Sequence, residues 1–224
     1  MHFEQRFGAR EIKFLVTPER GEQIRRWARE RLSPDPNAAG GDTYRVTSLY
    51  FDTCAFDVFH ARGSYGRAKY RVRRYDDAPT VFAERKMRTE SLVTKRRVSL
   101  DLAEIGRLAS GRGWFERRLA ARSLKPVCSI TYLRSAFVGS QTNGSLTRLT
   151  IDQCLHAAQV DHLTLGCPDQ GLPICNGQEI LELKYLGEMP RVFKDLLETF
   201  PVQRTGVSKY RLAAAALGLA TKHA

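Results

Sequence analysis

The chain has 224 residues, 42% of them hydrophobic, which is enough to bury the core of a globular domain. It carries 36 Lys and Arg against 24 Asp and Glu, a formal charge of +12, so we expect a polyanionic partner: nucleic acid, anionic lipid or a phosphate compound. The first residues carry charges where a signal peptide would have an apolar stretch, and no apolar run approaches the roughly 20 residues that cross a bilayer. These two features predict a cytoplasmic protein without a membrane segment.

The N-terminal part of the chain predicts a strand, a helix and a loop. Arg10 to Val16 has strand character. Thr17-Pro18 is typical of a helix start, because Thr can cap and Pro tolerates the first helical position. The helix should run to about Leu32, where a Pro-rich and then Gly-rich loop follows through Gly41.

From Tyr44 onward the sequence is mainly strand-like. The predicted strands are Tyr44 to Asp52, Ala68 to Tyr75, Thr80 to Arg88, Val93 to Leu100, Val127 to Val138, Ser145 to Gln153 and Glu179 to Tyr185. The predicted helices are a short turn after Asp52, one or two segments between Leu102 and Ser123, Pro190 to Phe200, and Ser208 to Ala220. Strands that follow strands predict an α+β fold with an antiparallel sheet, and the absence of a repeat or a long linker predicts one domain over residues 1–224.

Alternation along these strands gives two faces of different character, because residues two apart point the same way. The charged face comprises Glu11, Lys13, Lys69, Arg71, Arg73, Glu84, Lys86, Lys95, Arg97, Tyr132, Arg134, Arg148, Thr150, Asp152, Glu182 and Lys184. The apolar face comprises Ile12, Phe14, Tyr70, Val72, Val81, Ala83, Leu149, Ile151, Leu181 and Leu183. On patterning alone, an ordinary sheet with one solvated face is the simpler interpretation.

Three features favour a different arrangement. Cations dominate the charged face, whereas a solvated face normally mixes signs to limit repulsion. The few carboxylates lie two or four residues from a Lys or Arg, where they could hold a divalent cation among phosphates. About eight strands can close into a barrel whose interior admits one narrow ligand. These features predict an antiparallel β-barrel with flanking helices, whose basic interior binds a linear phosphate chain.

A set of short motifs carries a family resemblance. They are Arg10-Glu11-Ile12-Lys13-Phe14, Ser48-Leu49-Tyr50-Phe51-Asp52-Thr53, Lys69-Tyr70-Arg71-Val72-Arg73, Glu84-Arg85-Lys86, Lys95-Arg96-Arg97, Tyr132-Leu133-Arg134, Arg148-Leu149-Thr150-Ile151-Asp152, Leu181-Glu182-Leu183-Lys184 and Ser208-Lys209-Tyr210. In this order, from Arg10 to about Leu219, they resemble the VTC-type polyphosphate polymerase domain, a branch of the triphosphate tunnel metalloenzyme (CYTH-like) superfamily.

The resemblance implies a β-barrel tunnel in which the ATP γ-phosphate is transferred onto a growing polyphosphate chain with Mn²⁺ or Mg²⁺. Its partners would be ATP and inorganic polyphosphate or triphosphate, and nucleic acid is not expected. Carried over by motif, the phosphate-binding residues would be Lys13, Arg71, Arg73, Lys86, Lys95, Arg134, Arg148 and Lys209, with Glu182 holding the metal and Tyr132 near the nucleotide. The charged face adds Lys69, Arg97 and Lys184 to the phosphate set and Glu11 and Glu84 to the metal set. We expect the catalytic group to be Lys13, Arg71, Arg73, Lys86 and Arg134.

One departure separates the chain from other branches of that superfamily. Cyclases and triphosphatases of the group begin with Glu-x-Glu-x-Lys, whereas Ala9 stands at the first Glu position here. Fewer carboxylates suit one metal ion better than two and favour the polymerase branch over the cyclase branch.

Three alternatives remain open at this point. A tripolyphosphatase would use the same interior with water as the acceptor. An inactive polyphosphate-binding module would bind chains without turning over ATP. A nucleic-acid-binding barrel fits less well, because Tyr and Phe are expected mostly on the apolar face, away from the cations, where bases could not stack on them.

Overall fold

The computed structural model describes residues 3–7, 9–38, 40–88, 93–140, 146–165 and 171–220. The strands are β1 (Phe3–Phe7), β2 (Ala9–Val16), β3 (Ser33–Pro34), β4 (Thr43–Asp52), β5 (Ala68–Tyr75), β6 (Thr80–Arg88), β7 (Val93–Asp101), β8 (Lys125–Ser140), β9 (Leu146–Gln159), β10 (Leu172–Pro173) and β11 (Glu179–Leu186). The α-helices are α1 (Pro18–Arg31), α2 (Asp57–His60), α3 (Trp114–Ala121), α4 (Arg191–Thr199) and α5 (Lys209–Ala216), and 3₁₀ helices cover Gly63–Arg67 and Leu102–Ala109.

The predicted elements are confirmed, with small differences at their ends. α5 stops at Ala216, before the predicted Ala220, because Gly218 has a φ of +67° that no longer continues a helix. β1 and the two-residue strands β3 and β10 have no counterpart among the predictions, since such short segments carry too little periodicity. The predicted start of β9 at Ser145 lies outside the described residues.

One antiparallel sheet contains every strand. Its order is β1-β7-β6-β5-β4-β8-β9-β11-β2, with β3 paired to β8 and β10 paired to β9. The end strands β1 and β2 follow one another in the chain, so the two ends of the sheet are brought together. The antiparallel prediction is confirmed. The sheet has nine main strands rather than about eight, and it is curled rather than closed by a ladder, because no described pairing joins β1 to β2.

Two irregularities help the sheet to curl. The β4–β8 pairing shifts register at Tyr50/Phe51, and the β8–β9 pairing shifts at Thr131/Leu133. A bulge bends its strand and increases the local twist. The first shift places an extra residue, Val127, in β8, and the second places an extra residue in β9, so two adjacent strands bend.

Helices cover the outer, apolar face of the sheet. α1 begins at Thr17, whose hydroxyl accepts a hydrogen bond from the Arg20 amide at 3.3 Å. Residues from α1, α4 and the outer face of β2, β8, β9 and β11 form one apolar cluster: Ile12, Phe14, Ile24, Trp27, Ala28, Phe137, Leu149, Ile151, Leu181, Leu183, Phe193 and Leu196. A second cluster joins α2, α3 and α5 to the sheet; it includes Tyr70, Val72, Val81, Ala83 and Phe115, and through Tyr50, Tyr132 and Tyr210 it also reaches the concave side. With the apolar residues buried under helices, the alternate residues of the same strands face the concave side of the sheet.

Two further observations concern cysteines and membranes. Cys54, Cys128, Cys154 and Cys175 are free thiols, and Cys167 lies outside the described residues. In the part of the chain that the structure describes, no helix combines the length and the apolar character needed to span a bilayer.

Candidate functional site

Fourteen residues line a cavity of about 90 Å³ on the concave side of the sheet, called here the inner cavity. Eight are cationic and two are acidic, and four are hydroxyl residues. The cations are Lys13, Lys69, Arg71, Arg73, Lys86, Arg134, Lys184 and Lys209, the acids are Glu11 and Glu182, and the others are Tyr50, Tyr132, Ser208 and Tyr210. All five residues of the predicted catalytic group therefore border one space, although their catalytic roles stay a prediction.

Two of the cations, Lys69 and Arg73, have no carboxylate partner among the described residues. They lie on the same face of β5, and both donate to hydroxyl groups instead. The Lys69 ammonium donates to Ser208 at 2.8 Å, and the Arg73 guanidinium donates to Ser48 and to Tyr132, both at 3.0 Å. Arg73 is only 4% exposed. A buried cation without an anion is costly, so both side chains are suited to receive an anionic ligand.

The surroundings of Lys69 lower its pKa. Burial is the largest cause, followed by the positive charges of Lys13, Arg211, Lys86 and Arg71, and together they bring the pKa to about 7. The ammonium therefore loses its proton near neutral pH when the cavity holds no anion. A phosphate beside Lys69 would favour the charged form again.

Two carboxylates, Glu11 and Glu182, and two lysines, Lys13 and Lys184, form the opposite wall of the inner cavity. The Lys13 ammonium lies 3.0 Å from Glu11 and 3.3 Å from Glu182, and the Lys184 ammonium lies 2.5 Å from Glu182. Lys86, from β6, reaches across the cavity to Glu11 at 2.8 Å. Burial and the charge of Glu182 act to raise the pKa of Glu11, but the three lysines outweigh them and lower it to about 2. Both carboxylates are thus ionised at neutral pH.

This carboxylate pair fits one divalent cation. The described residues contain no cluster of three or more His, Cys, Asp or Glu that could hold a metal alone. Mg²⁺ is commonly bound by one or two carboxylates together with substrate phosphates and water, and Glu11 and Glu182 supply that donor set at the cavity wall. Glu84 does not border the cavity, so its assignment to the metal stays a prediction without this support.

Glu84 instead sits inside a cluster of cations behind the inner cavity. Its carboxylate is 1% exposed and lies 2.7 Å from Arg71, 2.6 Å from Lys95 and 3.5 Å from Arg97. Burial raises the pKa of Glu84, but the positive charges of Arg71 and Lys95 dominate and hold it far below its usual value. Lys95 and Arg97, both predicted to bind phosphate, therefore compensate Glu84 and do not line the cavity. Through this carboxylate they fix the orientation of Arg71, which also donates to Tyr50 at 3.4 Å.

A second buried carboxylate, Asp152, orients two further cations. Arg134 donates two hydrogen bonds to it at 2.6 and 2.8 Å, and the Lys209 ammonium lies 2.5 Å away. The Tyr132 ring lies under both cations, 5.4 Å from the Arg134 guanidinium and 4.8 Å from the Lys209 ammonium. Asp152 is completely buried, so its role is to hold these side chains at the cavity edge.

Arg148 is placed elsewhere. Its guanidinium lies 2.7 Å from the Asp35 carboxylate and donates to the Tyr44 hydroxyl at 2.7 Å, and it does not line the inner cavity. Its predicted phosphate contact stays a prediction.

Three cavity residues, Tyr50, Ser208 and Tyr210, were absent from the predicted site. Tyr50 stacks on Tyr210 with ring centroids 5.4 Å apart, and the Tyr210 hydroxyl donates to Asp52. Alternation from Asp52 could have placed Tyr50 on the charged face, and Ser208 and Tyr210 belong to a motif already noted. Tyr50 and Tyr210 join Tyr132, which was already predicted on the charged face, among the cations of the cavity.

Comparison with known proteins supplies the family. The family model of the VTC domain matches residues 8–218. Among curated proteins, no sequence matches the chain.

Solved structures of other proteins share the fold. A putative adenylate cyclase from Bacillus halodurans gives a TM-score of 0.54 at 17% identity, covering 90% of this chain and 96% of that one. A putative adenylyl cyclase from Hippeastrum, described as having a dominant triphosphatase activity, gives 0.53 at 16% identity, covering 95% and 96%. A putative adenylate cyclase from Vibrio parahaemolyticus gives 0.51 at 11% identity, covering 93% and 98%. The motifs, the basic inner cavity and the match over residues 8–218 agree, and the chain belongs to the VTC domain family.

Proposed function

We propose that this chain, as one domain over residues 1–224, is a metal-dependent polyphosphate polymerase that transfers the ATP γ-phosphate onto a growing inorganic polyphosphate chain. The observation that carries the proposal is the inner cavity, where eight cations from β2, β5, β6, β8, β11 and α5 face two carboxylates. So many like charges in one space are stabilised by an anion between them. A linear chain of phosphates is highly charged, and it is narrow enough for this space.

That the protein works in the cytoplasm stays a prediction.

Binding and orientation are the main tasks of the protein in phosphoryl transfer, because the transferring group needs charge neutralisation more than covalent chemistry. The guanidinium groups of Arg71, Arg73 and Arg134 match phosphate oxygens in a forked geometry. Glu84, Ser48 and Asp152 hold these groups in place by hydrogen bonds of 2.8, 3.0 and 2.6 Å. We propose that the three arginines orient the donor and acceptor phosphates in line.

The ionisation of the cavity favours phosphate over water as the acceptor. The end oxygen of a phosphate chain is already anionic and needs no base, whereas water must lose a proton. Glu11, with a pKa of about 2, is a poor general base, and the nearby lysines hold the pKa of Glu182 well below its usual value against the opposing effect of burial. Lys69 becomes a cation when phosphate enters, so it is not available as a base either.

A divalent ion, Mn²⁺ or Mg²⁺, would be held by Glu11 and Glu182 and would neutralise charge on the phosphates. Lys13 and Lys184 already lie against the same two carboxylates, so the lysines and the ion share them. Lys13 and Lys184 would then turn toward phosphate oxygens as substrate fills the cavity.

A triphosphatase of the same fold is the second candidate. The Hippeastrum structure of the same fold is described as having a dominant triphosphatase activity, and hydrolysis would use the same phosphate contacts. An inactive polyphosphate-binding module is the third possibility. The low basicity of Glu11 and Glu182 favours the polymerase over the hydrolase.

One experiment separates the candidates. Purified protein is incubated with ATP and Mn²⁺, and ADP, free phosphate and chain length on a gel are measured. A polymerase forms long chains and releases ADP without an equal amount of phosphate. Equal amounts of ADP and phosphate without chains would establish the hydrolase, and no release of ADP would rule out the polymerase.

Variants connect the activity to the inner cavity. Arg71→Ala or Lys86→Ala should lower turnover by at least about 10²-fold if these groups contact the transferring phosphate. Arg118→Ala, on the exposed side of α3, serves as the control that retains activity. Near-normal rates in the two cavity variants would refute the assignment.

A further inference from the structure

Two free cysteines outside the inner cavity, Cys154 on β9 and Cys175 just after β10, lie on neighbouring segments of the sheet. β10 pairs with β9 in an antiparallel ladder, and directly after β10 the Ile174 amide donates to the Leu155 carbonyl oxygen at 2.9 Å. One further antiparallel step, by one residue on each segment, brings Cys175 opposite Cys154.

The pairing on the other side of Cys154 agrees with this placement. Cys175 begins a turn in which its carbonyl oxygen accepts a hydrogen bond from the Gln178 amide at 2.9 Å. β11 then pairs with β9, and Ile180 lies opposite Asp152. The chain before and after Cys175 is therefore held against residues that flank Cys154. Opposite residues of an antiparallel pair have Cα atoms about 4.5–5.5 Å apart, and a disulfide needs about 4.4–6.8 Å.

Both thiols can be reached by a small reagent. Cys154 is exposed and Cys175 is half-buried. The residues of the preceding pair, Leu155 and Ile174, are instead buried in the apolar core. This difference in burial places the two cysteines on the outer face of the sheet, on the same side as each other.

The backbone at both cysteines departs from regular strand geometry. Cys154 has a φ of +52° and Cys175 a φ of +74°, in the left-handed region that residues with a side chain seldom adopt. Cys154 also lies in the bulge at which the β8–β9 register shifts, and a bulge leaves its extra residue without a ladder partner. Neither cysteine is held in a regular ladder, so both backbones have room to adjust to a cross-link.

We propose that Cys154 and Cys175 are an oxidation site at which hydrogen peroxide closes a cross-strand disulfide. The exposed Cys154 reacts first: its thiolate sulfur attacks one peroxide oxygen, the O–O bond breaks, and the leaving oxygen takes up protons to become water. The sulfenic acid formed on Cys154 is then attacked by the Cys175 sulfur, the S–O bond breaks, and a second water leaves as the S–S bond forms. Two thiols lose two electrons, and the peroxide gains them.

The environment of Cys175 suits the second step. Burial raises the pKa of Cys175, with a smaller opposing effect from the charge of Lys209, so at neutral pH its sulfur stays mainly a thiol. It is therefore the slower of the two to meet the peroxide. Disulfides in reducing compartments are usually transient, and reduced glutathione or dithiothreitol would open this one again by thiol exchange.

The disulfide would restrain β9 beside the inner cavity. Cys154 is two residues from Asp152, the buried carboxylate that holds Arg134 and Lys209. The cross-link also closes a loop of about 20 residues, which removes conformational freedom from the unfolded chain. We therefore expect the oxidised protein to unfold several degrees higher than the reduced protein.

Peptide mapping of the full chain tests the proposal. Native protein is treated with hydrogen peroxide, the excess is removed with catalase, free thiols are alkylated, and the chain is digested with a protease that cuts before aspartate. A cut before Asp161 separates Cys154 from Cys167. A cut before Asp169 separates Cys167 from Cys175. We expect mass spectrometry to find the peptides of Cys154 and Cys175 joined with the loss of two hydrogens, and dithiothreitol to release them.

Three variants serve as controls. Cys154→Ser and Cys175→Ser should each abolish the cross-link and the rise in Tm. Cys54→Ser removes another exposed thiol and should keep both. The proposal is overturned if Cys154 and Cys175 are still alkylated separately after oxidation, or if either is joined to Cys167 or to a second chain instead. A cross-link that leaves Tm unchanged would contradict the restraint on β9.

Discussion

Arg73 and Arg134 are both buried cations of the inner cavity, but only Arg134 has a carboxylate partner. Arg134 is 5% exposed and donates two hydrogen bonds to the fully buried Asp152. Arg73 is 4% exposed and donates only to hydroxyl groups. Replacing each by Met removes the charge and keeps much of the apolar stem. The two variants should therefore differ in stability while both lose activity.

The size of the difference follows from the partners left behind. Breaking a buried ion pair from one side costs about 3–5 kcal/mol. Lys209 still lies 2.5 Å from Asp152, so we expect the lower end, about 3 kcal/mol, for Arg134→Met. In a chain of this size 1 kcal/mol shifts Tm by about 2–4 °C, so Tm should fall by about 6–12 °C. Arg73→Met loses hydrogen bonds to hydroxyls but also removes a buried cation whose desolvation costs several kcal/mol, so its Tm should be unchanged or higher.

Thermal unfolding without ligand measures the stability, and the ATP and Mn²⁺ assay measures the activity. Both variants should lower turnover by at least about 10²-fold. The matched control is Arg25→Met, because Arg25 is 6% exposed and donates to the buried Glu179 at 2.7 Å, away from the inner cavity. It should lose stability as Arg134→Met does, and its folded fraction should keep full activity.

The reasoning is refuted if Arg73→Met unfolds at as low a temperature as Arg134→Met. Arg73 would then stabilise the fold and would not be kept for a ligand. Full activity in Arg73→Met would contradict its predicted place in the catalytic group.

Three more predictions concern single residues. Burial and neighbouring cations lower the pKa of Lys69 to about 7, and only its charged form attracts phosphate, so the affinity for tripolyphosphate should fall by up to about tenfold per pH unit above pH 7. Lys69→Arg stays charged and should flatten this part of the calorimetric affinity profile. Identical profiles for the variant and the unchanged protein would contradict this role of Lys69. Asp52 accepts charge-assisted hydrogen bonds from two helix amides and from Tyr210, so Asp52→Ala should lower the free energy of unfolding in urea by at least about 3 kcal/mol. An unshifted urea midpoint would contradict this stabilising role of Asp52. Glu182→Gln should raise the Mn²⁺ concentration for half-maximal turnover at least about tenfold, equivalent to about 1.4 kcal/mol, and an unchanged requirement would remove Glu182 from the metal site.

Strand alternation was sufficient to predict most of the inner cavity. Lys13 and Arg71 each lie on a strand whose alternate residues are mainly apolar, so burying one face under helices forces the other inward. This inference required only the two-residue period and a sheet that curls. For that reason the fold class and the convergence of the cations could be predicted together.

Contacts across the curled sheet could not be predicted in the same way. Glu11 and Lys86 are 75 residues apart, and they meet because opposite walls of the cavity face each other. Glu84 and Arg148 alternate correctly but do not line the cavity, and they pair with Arg71 and Asp35 instead. Tyr210 comes from a helix, to which the period of a strand does not apply. Register and curvature decide these cases, and neither can be read from the pattern of a single strand.

A crystal structure of the protein with bound tripolyphosphate tests the central claim most directly. We predict that the anion occupies the inner cavity, with phosphate oxygens within hydrogen-bonding distance of Lys69 and Arg73, the two cations without a carboxylate partner. A tripolyphosphate that binds only outside the inner cavity, with the ion pairs of Lys13 to Glu11 and Glu182 intact, would contradict the account.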